Sequence, residues 1–566
     1  MAEVKERIRI GDLLVDKGII SVDQLRIALI EQRKQNLPIG KILVRLGFVT
    51  EHTMRETLGE LLGHESVDLS KVLPDSEAIN LVPKEVARRY KLIPLTVDFD
   101  KKILTVAMSD TFNVVALDQT AVLLGGDLEL KPVLASEADV EASIDHFYGY
   151  ELSVSGILNE LETGEIDYQS MEANTNEYSH PLVRLVDALL ADAVKKGASD
   201  IHFEPEESFL RVRYRIDGVL RQVQAIHKNY LSGIVVRLKV LAGMDIAETR
   251  APQDGRISLT IASRLVDFRV ATHPTSHGEN IVLRVLDRDK GIVALDKLGL
   301  TSEALMLLRL MMARPEGIII VTGPTGSGKT TTLYSLLNDI NEESRNIMTL
   351  EDPVEYPMAL IRQSSISESA KLDFANGIRS LMRQDPDVIL VGEVRDEATA
   401  TMAFRAAMTG HQVYTTLHTN SALGAIPRLL DIGMHRGIMS GNIIGIVAQR
   451  LVRRLCDQCK EEYVADDFER KLLGHHQPVV KIYKAAGCAY CDQHGYRGRI
   501  GLIEILRFDR ELDELIAQGA TMSQLYDKVI ENGFIPLAED GIRRVLEGLT
   551  SLDEITRVLD LTNRIT

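Results

Sequence analysis

The sequence predicts a multidomain α/β protein with a parallel, doubly wound sheet at its centre. Three observations support this fold class. Residues 291–450 repeat a strand-then-helix rhythm, a Gly-rich turn follows the first of these strands, and two Cys-x2-Cys pairs follow the last. With 566 residues, the chain can bury several hydrophobic cores, and length alone suggests roughly three to five domains.

Composition narrows the classes of function. The net charge of -17 and the absence of Trp disfavour a nucleic-acid-binding protein, because such affinity comes from phosphate neutralisation and base stacking. No apolar run reaches the roughly 18 residues of a membrane span, and the charged start of the chain does not read as a secretory signal. We expect a cytoplasmic protein whose association with any membrane comes only through partners.

Changes in pattern along the chain suggest seven segments. Residues 151–180 hold seven acids and no Lys or Arg, which is typical of a flexible linker. The segments are a helical tandem-motif domain (1–65), a small α/β domain (66–150), the linker (151–180), a second α/β domain (181–290), the sheet core (291–450), a metal-binding element (451–505) and C-terminal helices (506–566).

The first segment contains an internal repeat. Residues 10–21 align with residues 39–50 at a constant offset of 29. In each copy a short apolar helix should end at a glycine, Gly18 or Gly47, before a Ser or Thr caps the next helix. The segment is therefore predicted to be a compact helical pair.

A phosphate-binding loop is predicted between the strand Gly317–Thr322 and a following helix. The pattern GxxxxGK[ST] lets backbone N–H groups cradle phosphates at a helix N-terminus, with Lys329 on the β- and γ-phosphates and the Thr330 hydroxyl on Mg²⁺. The residues assigned to this site are Gly323, Pro324, Thr325, Gly326, Ser327, Gly328, Lys329, Thr330 and Thr331.

Three further side chains are candidates for hydrolysis of the bound nucleotide. Glu355 follows the strand predicted at residues 346–350, and Glu393 follows Val388–Val391, which is interpreted as the strand next to the phosphate-loop strand. Either carboxylate can orient or deprotonate the attacking water, unless both are ordinary solvated acids. His418 ends the strand Gln412–Leu417, where a γ-phosphate sensor would lie.

Arginines and cysteines complete the candidate residues. Arg211, Arg213 and Arg215 alternate on a predicted strand and share one face, either to stabilise phosphoryl charge or as a salt-bridged surface row. The pairs Cys456-x2-Cys459 and Cys488-x2-Cys491 fit a closed, four-thiolate Zn²⁺ site, with a helix expected in the long segment between them.

These stretches resemble the secretion ATPase superfamily of type II secretion and type IV pilus assembly. GPTGSGKTTTLYSLL, TLEDPVEY, RQDPDVILVGEVRD and TGHQVYTTLHTNSA match its Walker A, Asp box, Walker B and His box. The resemblance implies a RecA-like core, ATP hydrolysis and a homo-hexamer. It matches Glu355, Glu393 and His418 to the catalytic glutamate, the Walker B acid and the second histidine, and it implies that the strand carrying Arg213 and Arg215 supplies arginines to the nucleotide. The tetracysteine element is typical of its assembly motors rather than its retraction motors.

The N-terminal repeat resembles the tandem motif of a cyclic di-GMP-binding domain found in pilus ATPases of the mannose-sensitive haemagglutinin type. The resemblance assigns cyclic di-GMP to Arg9, Ile10, Gly11, Leu25, Leu29, Gln32, Ile39, Gly40 and Leu58. The alternative is a helical docking domain that binds no nucleotide.

The leading hypothesis is a motor for type IV pilus assembly that acts on an inner-membrane platform protein and cytoplasmic accessory proteins. The alternative within the family is a type II secretion ATPase. A nucleic-acid translocase and a non-hydrolysing scaffold are the alternatives from other classes, and the acidic charge and intact motifs disfavour both.

Overall fold

A computed structural model describes residues 10–35, 39–49, 53, 57, 65–148, 154–163, 181–261, 264–287, 292–366, 372–475, 477 and 479–564. The backbone forms two compact units, Met1–Arg288 and Asp289–Thr566. None of the helices in these described ranges combines the length and the hydropathy needed to cross a membrane.

The first unit begins with helices α1 (Ile10–Asp16), α2 (Val22–Gln35) and α3 (Ile39–Arg45). The predicted repeat is present in the backbone. Gly18 and Gly47 have φ values of 67° and 69°, which favour glycine. The turn bond from Ile19 N to Leu14 O measures 3.0 Å, and its counterpart from Phe48 N to Leu43 O, 29 residues later, also measures 3.0 Å.

A small mixed sheet follows. Its strand order is β2-β3-β4, with β2–β3 antiparallel and β3–β4 parallel. Its elements are α4 (Ser76–Leu81), α5 (Lys84–Tyr90), β2 (Leu92–Asp98), β3 (Ile103–Met108), α6 (Val114–Leu123), β4 (Glu129–Leu134) and α7 (Glu137–Phe147).

The predicted linker at 151–180 is partly wrong. Helix α8 (Val154–Thr163) lies in its first half, and it buries Ile157 and Leu161 in the same core as the helix Pro181–Lys195. The hydroxyl of Tyr230 donates a 2.9 Å hydrogen bond to the carbonyl of Leu161. The acidic composition predicted a flexible segment. The helix forms nevertheless, because two apolar residues one turn apart give α8 a face that it can bury. Residues 164–180 lie outside the described part of the chain.

The rest of the first unit is a seven-stranded sheet in the order β1-β8-β9-β10-β5-β6-β7. Strand β1 (Val72–Leu73) precedes the small sheet in sequence yet pairs in parallel with the end of β8, at Thr260 and Ile261. The other elements are α9 (Pro181–Lys195), β5 (Asp200–Pro205), β6 (Phe209–Ile216), β7 (Val219–His227), α10 (Leu231–Ala242), β8 (Gln253–Ile261), β9 (Arg264–Thr275) and β10 (Gly278–Asp287).

The second unit is built on a sheet in the order β13-β12-β14-β15-β11-β16-β19. All neighbours are parallel except β16 and β19. The strands are β11 (Gly317–Thr322), β12 (Ile347–Glu351), β13 (Arg362–Ser365), β14 (Val388–Val391), β15 (Gln412–Leu417), β16 (Ile443–Leu455) and β19 (Tyr496–Arg507).

This order corrects one expectation. Strand β14 was predicted to neighbour β11, but β15 lies between them and pairs with both. The carboxyl ends of all three strands still meet at one edge of the sheet, because the strands are parallel. The side chains that follow them can therefore converge.

Helices cover the second sheet and close the chain. Between the two cysteine pairs, strands β17 (Glu461–Val464) and β18 (Lys481–Lys484) pair in antiparallel fashion. The connection between these strands contains α17 (Asp467–Leu473), the helix expected there. The remaining helices are α11 (Ser302–Met312), α12 (Lys329–Ile340), α13 (Phe374–Leu381), α14 (Glu397–Met408), α15 (Ala425–Asp431), α16 (Arg436–Met439), α18 (Arg510–Gln518), α19 (Met522–Glu531), α20 (Leu537–Leu546) and α21 (Leu552–Val558).

Candidate nucleotide and metal sites

The phosphate loop lies between a fully buried strand and a helix N-terminus, as predicted. Strand β11 is buried along its whole length, and α12 begins at Lys329 with Gly328 as its N-cap. Gly326 and Gly328 have φ values of 79° and 91°, so the turn depends on glycine at these positions. The Thr330 side chain is exposed at the first turn of α12, where a metal ion could reach its hydroxyl.

Lys329 folds over the loop that precedes it. Its ammonium donates hydrogen bonds to the carbonyls of Gly323 at 2.8 Å and Pro324 at 3.1 Å. Burial lowers the pKa of Lys329, and the nearby Glu393 carboxylate partly offsets this. The structure therefore places the cationic end of Lys329 within the loop that its motif assigns to phosphate.

Glu393 and His418 lie beside this lysine. His418 Nε2 is 3.4 Å from Glu393 Oε2, and its Nδ1 is 3.5 Å from Lys329 Nζ. Glu393 also pairs with Arg395 through its other oxygen. The sequence singled out Glu393, His418 and Lys329 separately, and the fold brings them together.

The acidic residues at the end of β12 and just after it have two roles. Glu351 is 4% exposed and accepts hydrogen bonds from Tyr334 and Thr349. It is therefore part of the core. Glu355, the predicted catalytic candidate, is half-buried, and its backbone N–H donates to the Tyr334 hydroxyl at 3.3 Å. Because Tyr334 belongs to α12, the segment carrying Glu355 rests on the helix that starts at the phosphate loop.

The sequence reasoning missed several polar residues that support the loop. Thr322 and Thr419 share a hydroxyl–hydroxyl bond of 2.8 Å, and Thr419 N donates to Thr322 Oγ1 at 2.9 Å. Gln449 on β16 donates from Nε2 to the carbonyl of Ser327 at 2.6 Å, and neighbouring Arg450 donates to the carbonyl of Asn420 at 2.9 Å. Thr419 and Asn420 lie in the His-box stretch, but no local signal predicts these contacts, because each one spans at least 30 positions.

Arg211, Arg213 and Arg215 lie on one face of β6, as their alternation predicted. All three are paired with acids of the same unit. Arg211 pairs with Glu206, Arg213 pairs with Glu204, and Arg215 Nε lies 3.4 Å from Asp200 Oδ2. This arrangement matches the salt-bridged row that was the alternative to a role at phosphate.

The four cysteines converge. Their Sγ atoms all lie within 4.8 Å of one another, with separations of 3.9 Å for Cys456–Cys488 and 3.7 Å for Cys459–Cys491. Tetrahedral Zn²⁺ with bonds near 2.3 Å requires about 3.8 Å between sulfurs. The thiols therefore fit a structural zinc ion.

Part of the tandem-motif site is described. Gly11 is buried under Leu25, whose Cδ1 would lie 2.6 Å from a Cβ at that position. Leu29 is 43% exposed, and Gln32, Ile10, Ile39 and Gly40 are partly buried. Arg9 and Leu58, which the prediction also included, lie outside the described residues.

A glycine loop at a helix N-terminus, a lysine within it and a carboxylate–histidine pair beside it define a P-loop nucleoside triphosphatase. The family model described as "Type II/IV secretion system protein" matches residues 175–557, and one described as "MshEN domain" matches residues 49–154. The chain belongs to the Type II/IV secretion system protein family and is an ATPase. Its core is RecA-like.

Individual relatives agree with this assignment. The chain is 40% identical over 563 residues to the type IV pilus assembly ATPase PilB of Myxococcus xanthus. The aligned region covers 97% of this chain and 98% of the relative. The chain is 41% identical over 495 residues to the type II secretion system ATPase E of Vibrio cholerae, covering 86% and 97%. The solved structure of the Yersinia pseudotuberculosis ATPase DotB has the same fold, with a TM-score of 0.51 and 20% identity over 68% of this chain and 96% of that one.

Proposed function

We propose that the chain is a homo-hexameric motor that uses ATP hydrolysis to assemble a type IV pilus and that responds to cyclic di-GMP. The observation that carries the motor assignment is the convergence of Lys329, His418 and Glu393 at the phosphate loop. In this proposal the motor is cytoplasmic and works against an inner-membrane platform protein with cytoplasmic accessory proteins. It does not act on nucleic acid.

In this proposal each residue of the site has a role. Main-chain amides of residues 323–330 hold the phosphates, and Lys329 moves from the loop carbonyls to the β- and γ-phosphates. The Thr330 hydroxyl and Glu393 would hold Mg²⁺, which supplies positive charge to the phosphates. Glu355 or Glu393 orients the attacking water, and His418 senses the γ-phosphate from beside Glu393.

The test of the motor assignment is phosphate release by the purified, zinc-replete chain, alone and with its platform protein. Lys329→Ala should abolish turnover, because it removes the cation that binds the transferring phosphate. Lys481→Ala is a matched control, since Lys481 is an exposed lysine on β18 that pairs with Glu462 of β17. Equal turnover by Lys329→Ala and wild type would show that the phosphate site lies elsewhere.

Pilus assembly and type II secretion remain the two candidate machines. The match to a pilus assembly ATPase and the MshEN domain match support the pilus. Matches to type II secretion proteins, one of them equally long, support the alternative. Deletion of the gene in its own organism distinguishes them. Loss of surface pili that only the wild-type gene restores supports the proposal, whereas intact pili with loss of an exported protein support secretion.

Cyclic di-GMP binding is proposed for the tandem-motif domain, supported by the motif resemblance and by exposed Leu29 on α2. Apolar side chains with adjacent glycines can pack on guanine bases while the backbone approaches phosphate. Leu29→Ala should weaken binding of cyclic di-GMP to the full chain, measured by calorimetry. Ile27→Ala is the control, because Ile27 is 48% exposed on the opposite face of the same helix. The absence of heat with wild-type protein would favour the docking-domain alternative.

A further inference from the structure

Arg395 is an exposed arginine at the nucleotide site that lies within the Walker B stretch but was assigned no role there. It follows β14 by four residues and lies between two carboxylates that come after different strands. Its guanidinium pairs with Glu393 and lies 3.5 Å from Asp352 Oδ2, in the acidic stretch after β12. The arginine thus joins the two acidic segments at the carboxyl edge of the sheet.

The Glu393 carboxylate is held from both sides. Arg395 contacts Oε1, and His418 Nε2 lies 3.4 Å from Oε2. The backbone around it is also fixed, since Gly392 N donates to Leu350 O at 2.8 Å and Val394 N donates to Thr416 O at 3.1 Å. With the backbone fixed, the remaining freedom of Glu393 is rotation of its side chain, and the two partners restrict that rotation.

From this geometry we infer that Arg395 is a positioning residue for hydrolysis: it orients the Glu393 carboxylate and links it to Asp352. The inference rests on the proposed role of Glu393. Catalytic carboxylates must be held within a fraction of an ångström of their productive position, because small displacements cost large factors in rate. A planar guanidinium suits the task, since it can donate to two carboxylates at once.

The exposure of Arg395 separates this role from a purely structural one. Its side chain is 63% exposed, whereas that of Glu393 is 14% exposed. Exposed ion pairs contribute little to stability, so removing Arg395 should leave thermal unfolding unchanged. A loss of rate without a loss of stability is therefore the expected signature.

The experiment compares Arg395→Gln, Arg395→Lys and Asp352→Asn in the full-length oligomer, with phosphate release measured over a range of ATP concentrations. Arg395→Gln should lower kcat about 10-fold or more with the KM for ATP within about 2-fold of wild type. Arg395→Lys should restore part of kcat, because it keeps a cation near both acids. Arg405→Gln, an exposed arginine on α14, is the matched control and should match wild type.

A double variant tests the link to Asp352. If Arg395 acts through both acids, Arg395→Gln combined with Asp352→Asn should be no slower than Arg395→Gln alone. Unchanged kcat in Arg395→Gln overturns the inference, and so does a KM that rises in step with the loss of kcat, since Arg395 would then bind nucleotide directly. A wild-type chain without turnover would instead contradict the proposed function itself.

Discussion

The nucleotide site and the cysteine cluster both belong to the second unit, yet they are assembled differently. In the cluster, each short Cys-x2-Cys turn fixes the spacing of two thiols, and the two turns meet across 32 positions. The nucleotide site gathers Lys329, Glu393 and His418 from three segments that only the parallel sheet brings together. The cluster therefore depends partly on local turns, whereas the nucleotide site depends on strand order, so damage to them should have different consequences.

One strand connects the two sites. Gln449 on β16 contacts the phosphate loop, and the strand ends one residue before Cys456. Between these points, Arg453 donates to Glu554, which is 1% exposed on α21. Strand β16 thus attaches both the loop and the cysteine cluster to the same helical end of the chain. The contrast between the sites can be tested at each of these positions.

The largest effect should come from the cysteines. Combining Cys456→Ser with Cys488→Ser should release one zinc ion per chain, measured by atomic absorption. We expect the local stability of residues 451–505 to fall by on the order of 5 kcal/mol, because metal-binding energy contributes directly to folding. Hydrogen exchange should show the loss in that segment and not in β11, since the phosphate loop contains no thiol. Equal loss of protection from exchange in both regions would show that the cysteine cluster and the phosphate loop do not unfold separately.

The second prediction is a variant that should lose catalytic rate while it keeps its stability. Glu393→Gln should lower kcat by about 100-fold or more, since an amide cannot accept a proton from water. Binding of a fluorescent ATP analogue and the unfolding temperature should stay near wild type. Glu343→Gln, an exposed acid remote from the site, is the control. Normal turnover in Glu393→Gln would leave Glu355 as the hydrolytic carboxylate.

The third prediction tests the helical end that both sites share. Arg453 and Arg557 lower the pKa of Glu554 to about 2, although burial acts in the opposite direction. Glu554→Gln should therefore destabilise the chain by about 2 kcal/mol, because it weakens the charge-assisted hydrogen bonds that Arg453 and Arg557 donate to this buried carboxylate.

The contacts of Glu554 with Arg453 and Arg557 also predict how stability depends on pH. A carboxyl whose folded pKa is depressed stabilises the protein fully above its unfolded value of 4.5 and loses that contribution as the pH falls toward about 2. Between these two pH values, the free energy of unfolding should therefore fall less steeply with decreasing pH in Glu554→Gln than in the wild type. Asp553→Asn, at the exposed neighbouring position, should keep the wild-type slope.

The smallest effect is expected at Gln449. Gln449→Ala removes the donor to the Ser327 carbonyl and should cost about 1–2 kcal/mol of stability. Nucleotide affinity should weaken several-fold, measured by titration with a fluorescent ATP analogue, while zinc content stays the same. Gln458→Ala, an exposed amide within the first cysteine turn, should change neither quantity. Zinc loss in Gln449→Ala would show that the two sites are less separate than their construction suggests.

Sequence patterns predicted what is local. Strands β11, β14 and β15 begin and end where the apolar runs did, and the motifs identified the loop and the thiols. They could not show that β15 separates β11 from β14, because strand order depends on pairing between distant segments. For the same reason the sequence did not reveal the contacts of Gln449, nor those of Thr419 and Arg395 within the quoted motifs, since the partners of all three are set by tertiary structure rather than by spacing.

Predictions from composition or alternation were wrong or ambiguous where the packing of side chains determines the structure. The acidic stretch after residue 150 looked unstructured, but Ile157 and Leu161 lie one turn apart and are buried. The arginine row on β6 was equally ambiguous, since alternation fixes the face of a strand and not what lies across from it. The acids on the neighbouring strand β5 and in the β5–β6 turn occupy that position.

The duplicated turns at Gly18 and Gly47 have a consequence for how this chain can change over time. Each copy closes with its own backbone bonds and its own glycine, yet both copies bury side chains in one hydrophobic cluster that includes Leu14 and Ile42. The two halves of the segment must therefore vary together, since a change of side-chain volume in one half is felt by the side chains of the other.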